Sequence, residues 1–227
     1  MKYVLIDWDN TVRKGFALFT WIDFLCKKNL VDTSILDDIH SYLQLEKRGI
    51  ISHSDLSKKS GQIYADKLKG LTYLQLENSL KDYIPTDESY FFSFVPNLFQ
   101  LFMQNNIDVI IVSGSPELII KCYIRKFNIS RVYALVTEEI NGFFTGNVLQ
   151  NFGYDKKRIV DDLYAEYGTC PLLSIGDSPS DLVMLQSATH GFWIEKDDRK
   201  IVDCQFKTFN PHSHKILNQI EDIVVNS

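Results

Sequence analysis

Two carboxylates, Asp7 and Asp9, stand on either side of Trp8 at the end of the apolar run Val4-Leu5-Ile6. The run is short, β-branched at Val4 and Ile6 and closed by a polar break, which reads as a buried strand followed by a loop. Side chains alternate along a strand, so Asp7 and Asp9 share one side and Trp8 points to the other. Paired acids at a strand's carboxyl end suit a divalent cation and a ligand, because open α/β sheets bind ligands at that edge. Taken alone, the fragment reads equally as a solvated acidic turn.

Three further stretches carry chemistry. Val112-Ser113-Gly114-Ser115-Pro116 closes another strand and opens a helix, and there a hydroxyl, free N–H groups and the helix dipole favour an oxyanion. Ser115 and Pro116 fit the N-cap and first helical positions. Asp155-Lys156-Lys157-Arg158 puts cations at a helix start, against the dipole, as if they answered another charge. Lys156 precedes Ile159, Val160 and Leu163 on the apolar face, whereas Lys157 is rotated off it. In Ser174-Ile175-Gly176-Asp177-Ser178-Pro179-Ser180-Asp181, Asp177 ends a strand and Asp181 falls where a capping box begun by Ser178 would place it.

The elements that must position these residues follow from periodicity. After Thr11 the pattern is helical for some seventy residues. Phe16, Phe19, Ile22 and Leu25 line a first helix, and Ile35, Ile39, Tyr42 and Leu43 a second, capped by Thr33 and Ser34 and ended by Gly49. A third follows Ser54, and Thr72 caps a fourth that Pro85 and Thr86-Asp87-Glu88 close. Strands and helices then alternate. Strands are expected near Val109–Val112, Val132–Val136, Leu172–Ile175 and Phe192–Ile194, with helices at Pro96, after Ser115 to about Phe127, at Asp155–Tyr167, after Pro179 and at Ile216–Val225. Asn141-Gly142 is the pair that a type I′ hairpin demands.

With 227 residues, 45% of them hydrophobic, the chain is globular and able to bury a sizeable core. The formal net charge of -5 argues against a nucleic-acid partner. Cys26, Cys122, Cys170 and Cys204 lack metal spacing and read as reduced thiols of a cytoplasmic protein. No leader layout and no membrane-spanning run is seen, so no membrane partner is expected.

Together these residues resemble the haloacid dehalogenase superfamily of phosphohydrolases, in its phosphoserine-phosphatase-like branch with a helical cap. Asp7-Trp8-Asp9-Asn10-Thr11, Ser113-Gly114, Lys156 and Gly176-Asp177 with Asp181 stand in that family's order. The stretch Leu68-Lys69-Gly70-Leu71-Thr72 and the hairpin Asn141-Gly142-Phe143-Phe144-Thr145-Gly146 are similar as well. The resemblance implies an α/β fold: a Rossmann-like parallel sheet flanked by helices, formed by residues 1–12 and 87–227, with an α-helical cap at 13–86 and a small β-hairpin.

It also implies a Mg²⁺-dependent phosphomonoesterase for a small phosphorylated metabolite. Asp7 would be the nucleophile that forms an aspartyl-phosphate, and Asp9 the group that protonates the leaving alcohol and then activates water. Ser113, Gly114 and Lys156 would bind the phosphoryl group, with Thr11 assisting. Asp7, the main-chain carbonyl of Asp9 and Asp177 would hold Mg²⁺, with Asp181 either touching the ion or orienting its shell. In the phosphoserine enzymes a cap Glu and a cap Arg recognise the amino acid; the matching positions here are Phe16 and Tyr64. That disfavours phosphoserine and makes Phe16 and Tyr64 substrate-specificity candidates. Two other readings are a phosphotransferase to an alcohol acceptor and a non-catalytic phosphate-ligand binding protein of the same fold.

Overall fold

The computed structural model describes residues 2–195, 206–212 and 215–226; Cys204 and the loop pair Ser213-His214 lie outside them. Among the described residues, seven strands form one sheet: β1 (Tyr3–Ile6), β2 (Asp108–Pro116), β3 (Ile129–Ile140), β4 (Phe143–Gln150), β5 (Leu173–Gly176), β6 (His190–Ile194) and β7 (Lys207–Phe209). They lie in the order β4-β3-β2-β1-β5-β6-β7, and only the β3–β4 pair is antiparallel. Strand order reverses at β1, which is where an open α/β sheet leaves a crevice beyond its carboxyl ends.

Helices cover both faces, so β1 is apolar throughout rather than alternating. Val4, Ile6 and Trp8 pack into the larger core with Val109 and Ile111, whereas Tyr3 and Leu5 join Ile110, Val112 and Ile159 on the other face. Trp8 is fully buried against the rings of Phe91 and Tyr123. The expected alternation thus holds: Trp8 anchors the loop on one side and leaves Asp7 on the other.

Between β1 and β2 the chain forms α1 (Ala17–Lys27), α2 (Ser34–Lys47), α3 (His53–Leu68), α4 (Tyr73–Asp87) and α5 (Val95–Gln104). Helix α1 buries Ala17, Leu18, Trp21, Ile22 and Leu25, one face at helical spacing. Gly49 takes φ +70° just past α2, the left-handed conformation that ends a helix at little cost when no Cβ is present. The rest of the chain supplies α6 (Glu117–Lys121), α7 (Ile124–Phe127), α8 (Lys156–Tyr167), α9 (Leu182–Ser187) and α10 (Lys215–Val225). In the hairpin, Asn141 (φ 53°) and Gly142 (φ 85°) both have positive φ, as a type I′ turn requires. Its tip pairs with the α3–α4 connection, through Gly70 N–H to Phe144 O and Tyr73 N–H to Gly142 O, both at 2.9 Å.

Several expectations are corrected. The cap of helix α3 lies two residues before the expected one, because Ser52, not Ser54, forms a capping box with Asp55. At α2 the cap comes from Asp32, whose carboxylate accepts from Ser34 N–H at 2.8 Å, while the Thr33 side chain makes no cap bond. Pro85 does not close α4 but lies inside it. The helix survives the missing N–H because its last residue, Asp87, is fully buried and bonded by Tyr83, Tyr123 and Arg13. Ser115 and Pro116 end β2, so the N-cap position of α6 falls on Pro116 and not on Ser115, and the helix expected to reach Phe127 is broken into α6 and α7. The sequence reading also missed β7, whose three residues carry little periodicity.

Candidate active site

The register of three adjacent strands brings the motifs together. Ile6 on β1 faces Ile111 on β2 and Ile175 on β5, so the chain beyond each strand emerges at one edge. Asp7 follows β1 and is fastened by its N–H to Ile175 O at 3.0 Å, Ser113 lies near the end of β2, and Asp177 follows β5. All three are buried. Asn10 sustains φ 57°, so the chain turns sharply after Asp9, and Asn10 Oδ1 accepts from Gly15 N–H at 3.0 Å. Thr11 is buried on the same edge, its hydroxyl 3.4 Å from Asp177 Oδ1.

Lys156 comes from the first turn of α8, whose buried residues are Lys156, Ile159 and Leu163. Lys157 instead pairs with Asp161 in solvent, so the helical period distinguishes the two lysines as expected. Lys156 Nζ lies 2.6 Å from Asp7 Oδ1 and 2.5 Å from Asp181 Oδ1. Burial alone would lower its ammonium, but the adjacent Asp181 and Asp7 outweigh burial and hold it above the usual lysine range. Burial pushes Asp7 well up despite Lys156, with Asp181 and Asp177 adding to the rise. For Asp181, burial is overcome by Lys156 and by bonds from Ser178, which keep its carboxyl below the usual range. Asp181 Oδ2 accepts from the N–H groups of Asp177 and Ser178 and from Ser178 Oγ, so the anticipated capping box is present and leaves Oδ1 for Lys156.

Asp9 faces the same edge but has different partners. Its Oδ1 accepts from Ala17 N–H at 2.8 Å and its Oδ2 from Ser115 Oγ at 2.6 Å. Burial raises its carboxyl, with Arg13 and the Ser115 bond pulling the other way. Ser115 therefore serves Asp9, a role that its helix-capping reading concealed. Ser113 Oγ accepts from Ser115 N–H at 3.1 Å, which fixes the turn.

Asp7, Asp9, Ser113, Lys156 and Asp177 open on a cavity of about 80 Å³ between the sheet edge and α1 and α3. Phe16 lines it; Tyr64 does not. One turn beyond the cavity-lining part of α3, Tyr64 is buried and accepts a hydrogen bond from Trp21 Nε1 at 3.0 Å, which makes it part of the packing between helices. The sequence reading also missed the contact across the cavity mouth. Asn151 Nδ2 donates to Ser57 O at 3.1 Å while its Oδ1 accepts from Gly153 N–H at 3.0 Å, joining α3 to the chain after β4. A Cβ on Gly153 would come within 2.6 Å of Ser57 Oγ and 2.7 Å of Gly114 Cα, so the backbones meet here because neither residue has a side chain. The glycine between two aromatic residues in Phe152-Gly153-Tyr154 is its only signal in the sequence.

Carboxylate oxygens of Asp7, Asp177 and Asp181 lie within 4.8 Å of one another, all on buried residues. Three acids facing one ammonium leave an excess of negative charge, and hard oxygen donors suit Mg²⁺ or Ca²⁺ more than a softer metal. The donor set therefore fits a hard divalent cation, which would offset the burial that raises Asp7.

A family model for haloacid dehalogenase-like hydrolase matches residues 4–186. Comparison with curated protein sequences finds no match. Solved structures share the fold at low identity. A phosphoserine phosphohydrolase-like protein from Francisella tularensis is 19% identical, with a TM-score of 0.69 over 97% of this chain and 99% of that one. A protein of unknown function from Bordetella pertussis gives a TM-score of 0.75 at 14% identity, over 92% and 98% of the two chains. A phosphoserine phosphatase holding a phospho-aspartyl intermediate analogue gives 0.61 at 16% identity, over 85% and 86%.

Proposed function

The chain belongs to the haloacid dehalogenase-like hydrolases, and on that premise we propose that it is a Mg²⁺-dependent phosphomonoesterase acting on a small phosphorylated metabolite. The observation that carries this reading is the different company of two neighbouring acids: Asp7 is paired with Lys156 at 2.6 Å, whereas Asp9 is held by Ser115 and Ala17. Groups whose surroundings differ in this way are suited to different steps of one reaction.

Asp7 attacks phosphorus in line, forming an Asp7 O–P bond as the bond to the leaving oxygen breaks. Asp9 starts protonated, as its burial favours, and delivers its proton to that leaving oxygen. Ionised Asp9 then takes a proton from the water that attacks the aspartyl-phosphate, which regenerates Asp7 and frees phosphate. Lys156, Ser113 and the Gly114 N–H hold the phosphoryl oxygens as charge shifts among them, and Thr11 steadies Asp177. Asp7, Asp177 and the Asp9 carbonyl would hold Mg²⁺, which when bound would offset the repulsion between an anionic nucleophile and an anionic substrate. Asp181 orients this set from outside, a role supported by both of its oxygens already being engaged. Residues 13–86 act as the cap over a core made of 1–12 and 87–227, and the free thiols Cys26, Cys122 and Cys170 suit a cytoplasmic setting.

The test is phosphate release from a panel of phosphate monoesters with Mg²⁺ and with a chelator, using wild type and Asp7→Asn. Release that needs Mg²⁺ and falls about a thousandfold or more in Asp7→Asn is expected; full activity in that variant refutes the nucleophile assignment.

A further inference from the structure

The cavity has two unlike walls. Its charged side chains, Asp7, Asp9, Lys156 and Asp177, all stand on the sheet side. Opposite them, the start of α1 supplies Phe16, Leu18 and Phe19, and α3 turns one helical stripe inward, from His53 through Leu56 and Ser57 to Ser60. Among the described residues, no Asp, Glu, Lys or Arg of the helical wall lines the cavity. Its one titratable group is His53, whose Nδ1 lies 3.6 Å from a Glu46 carboxylate oxygen.

A leaving group carrying an ammonium or a carboxylate would lose water against this wall without gaining a counter-charge, and burial of an unpaired charge is strongly disfavoured. An uncharged, mainly apolar group meets Phe16, Phe19 and Leu56 without that loss. Ser60 adds a sharper constraint. It is 3% exposed, it lines the cavity, and its Oγ has no hydrogen-bond partner among the described residues. Buried hydroxyls are nearly always bonded, so an exception at a cavity wall points to an atom of the ligand. The hydroxyl of Ser57, by contrast, already lies 3.4 Å from Asn151 Oδ1. A cavity of about 80 Å³ keeps whatever enters small.

Resting on the phosphatase reading, we propose that the site takes phosphate monoesters of small, uncharged, mainly apolar alcohols, and that Ser60 Oγ bonds a polar atom of the leaving group. Ser60 is then a specificity residue, remote from the phosphorus chemistry.

The experiment compares 3-hydroxypropyl phosphate and n-butyl phosphate, both with uncharged leaving groups and only the first with a second hydroxyl, against O-phosphoethanolamine, 2-phosphoglycolate and O-phosphoserine. Wild type is expected to show kcat/KM at least about tenfold higher for 3-hydroxypropyl phosphate than for any of the three charged esters. Ser60→Ala is expected to lower the 3-hydroxypropyl to butyl ratio about tenfold, through KM. Equal or better use of a charged ester, including the anionic one that a protonated His53 would welcome, overturns the substrate class. An equal effect of Ser60→Ala on both uncharged esters overturns the role of Ser60. Thermal shifts of Asp7→Asn with each intact ester give the same ranking without turnover. Absence of hydrolysis combined with this binding order sinks only the phosphatase reading. A binding order led by a charged ester, or no shift with any ester, sinks the substrate class.

Discussion

The backbone N–H of Ala17 donates to Asp9 Oδ1 at 2.8 Å, so the first helix beyond β1 starts on the carboxylate of the proposed acid. Phe16, at the N-cap position of that helix, makes no side-chain cap bond, and an acid at a helix N-terminus meets the positive end of its dipole. One residue thus faces the site and anchors the helical segment, with Ser115 on its other oxygen.

The pH dependence follows from those bonds. Burial raises the Asp9 carboxyl, and the Ser115 hydroxyl, by favouring the charged form, pulls it down. Only protonated Asp9 can protonate an alkoxide, so kcat/KM for an alkyl ester falls as pH rises through the Asp9 pKa. Ser115→Ala removes a donor to the carboxylate, raises that pKa further and moves this falling limb to higher pH. Paired pH–rate profiles check it, with p-nitrophenyl phosphate as the control whose leaving group needs little protonation. A limb that stays put or moves down refutes the assignment.

Arg13 and Asp87 form a fully buried ion pair at 2.9 Å, where the chain leaves β1 and returns to the sheet after α4. Asp87→Ala takes the nearest counter-charge from the guanidinium, leaving it Thr20 Oγ1 at 3.1 Å and Asp9 at 3.8 Å, and is expected to cost about 3 kcal/mol of stability. Replacing both partners by apolar residues, as in Arg13→Met with Asp87→Leu, should restore most of it. Denaturant unfolding of wild type and these two variants decides; an Asp87→Ala protein as stable as wild type contradicts the buried pair.

Gly153→Ala puts a methyl group against Ser57 Oγ and Gly114 Cα. Overpacking of this kind costs about 1–3 kcal/mol, and relief requires α3 to move from the cavity mouth. A lower melting temperature with a raised KM is expected from melting curves and steady-state kinetics, and unchanged values for both would show that the contact is soft.

Lys156→Met leaves Asp7 and Asp181 buried together without their cation. In chelator the variant should lose about 3–5 kcal/mol. Added Mg²⁺ should raise its melting temperature more than that of wild type, because the ion then relieves a greater excess of negative charge. Equal Mg²⁺ shifts in the two proteins would count against an ion among these acids.

Local chemistry made much of this protein legible. Continuous apolar runs marked β1, β2 and β5, because strands covered on both faces have no polar side to show. The strand period separated Asp7 from Trp8, and the helical period separated Lys156 from Lys157, since each rule depends only on neighbours in the chain. Long-range pairing stayed hidden. The sequence does not reveal that Ser115 would turn to Asp9, that Asp87 would be buried on Arg13 behind an in-helix proline, or that Gly153 would touch Gly114. Nor does it show that α3 would present Ser60 to the cavity and turn Tyr64 away to Trp21. These depend on how the helices between β1 and β2 settle on the sheet edge, and that is decided by the packing of whole faces. The sequence by itself determined which groups could do chemistry; the tertiary structure decided their partners, because a carboxylate's role depends on the charge, donors and burial around it.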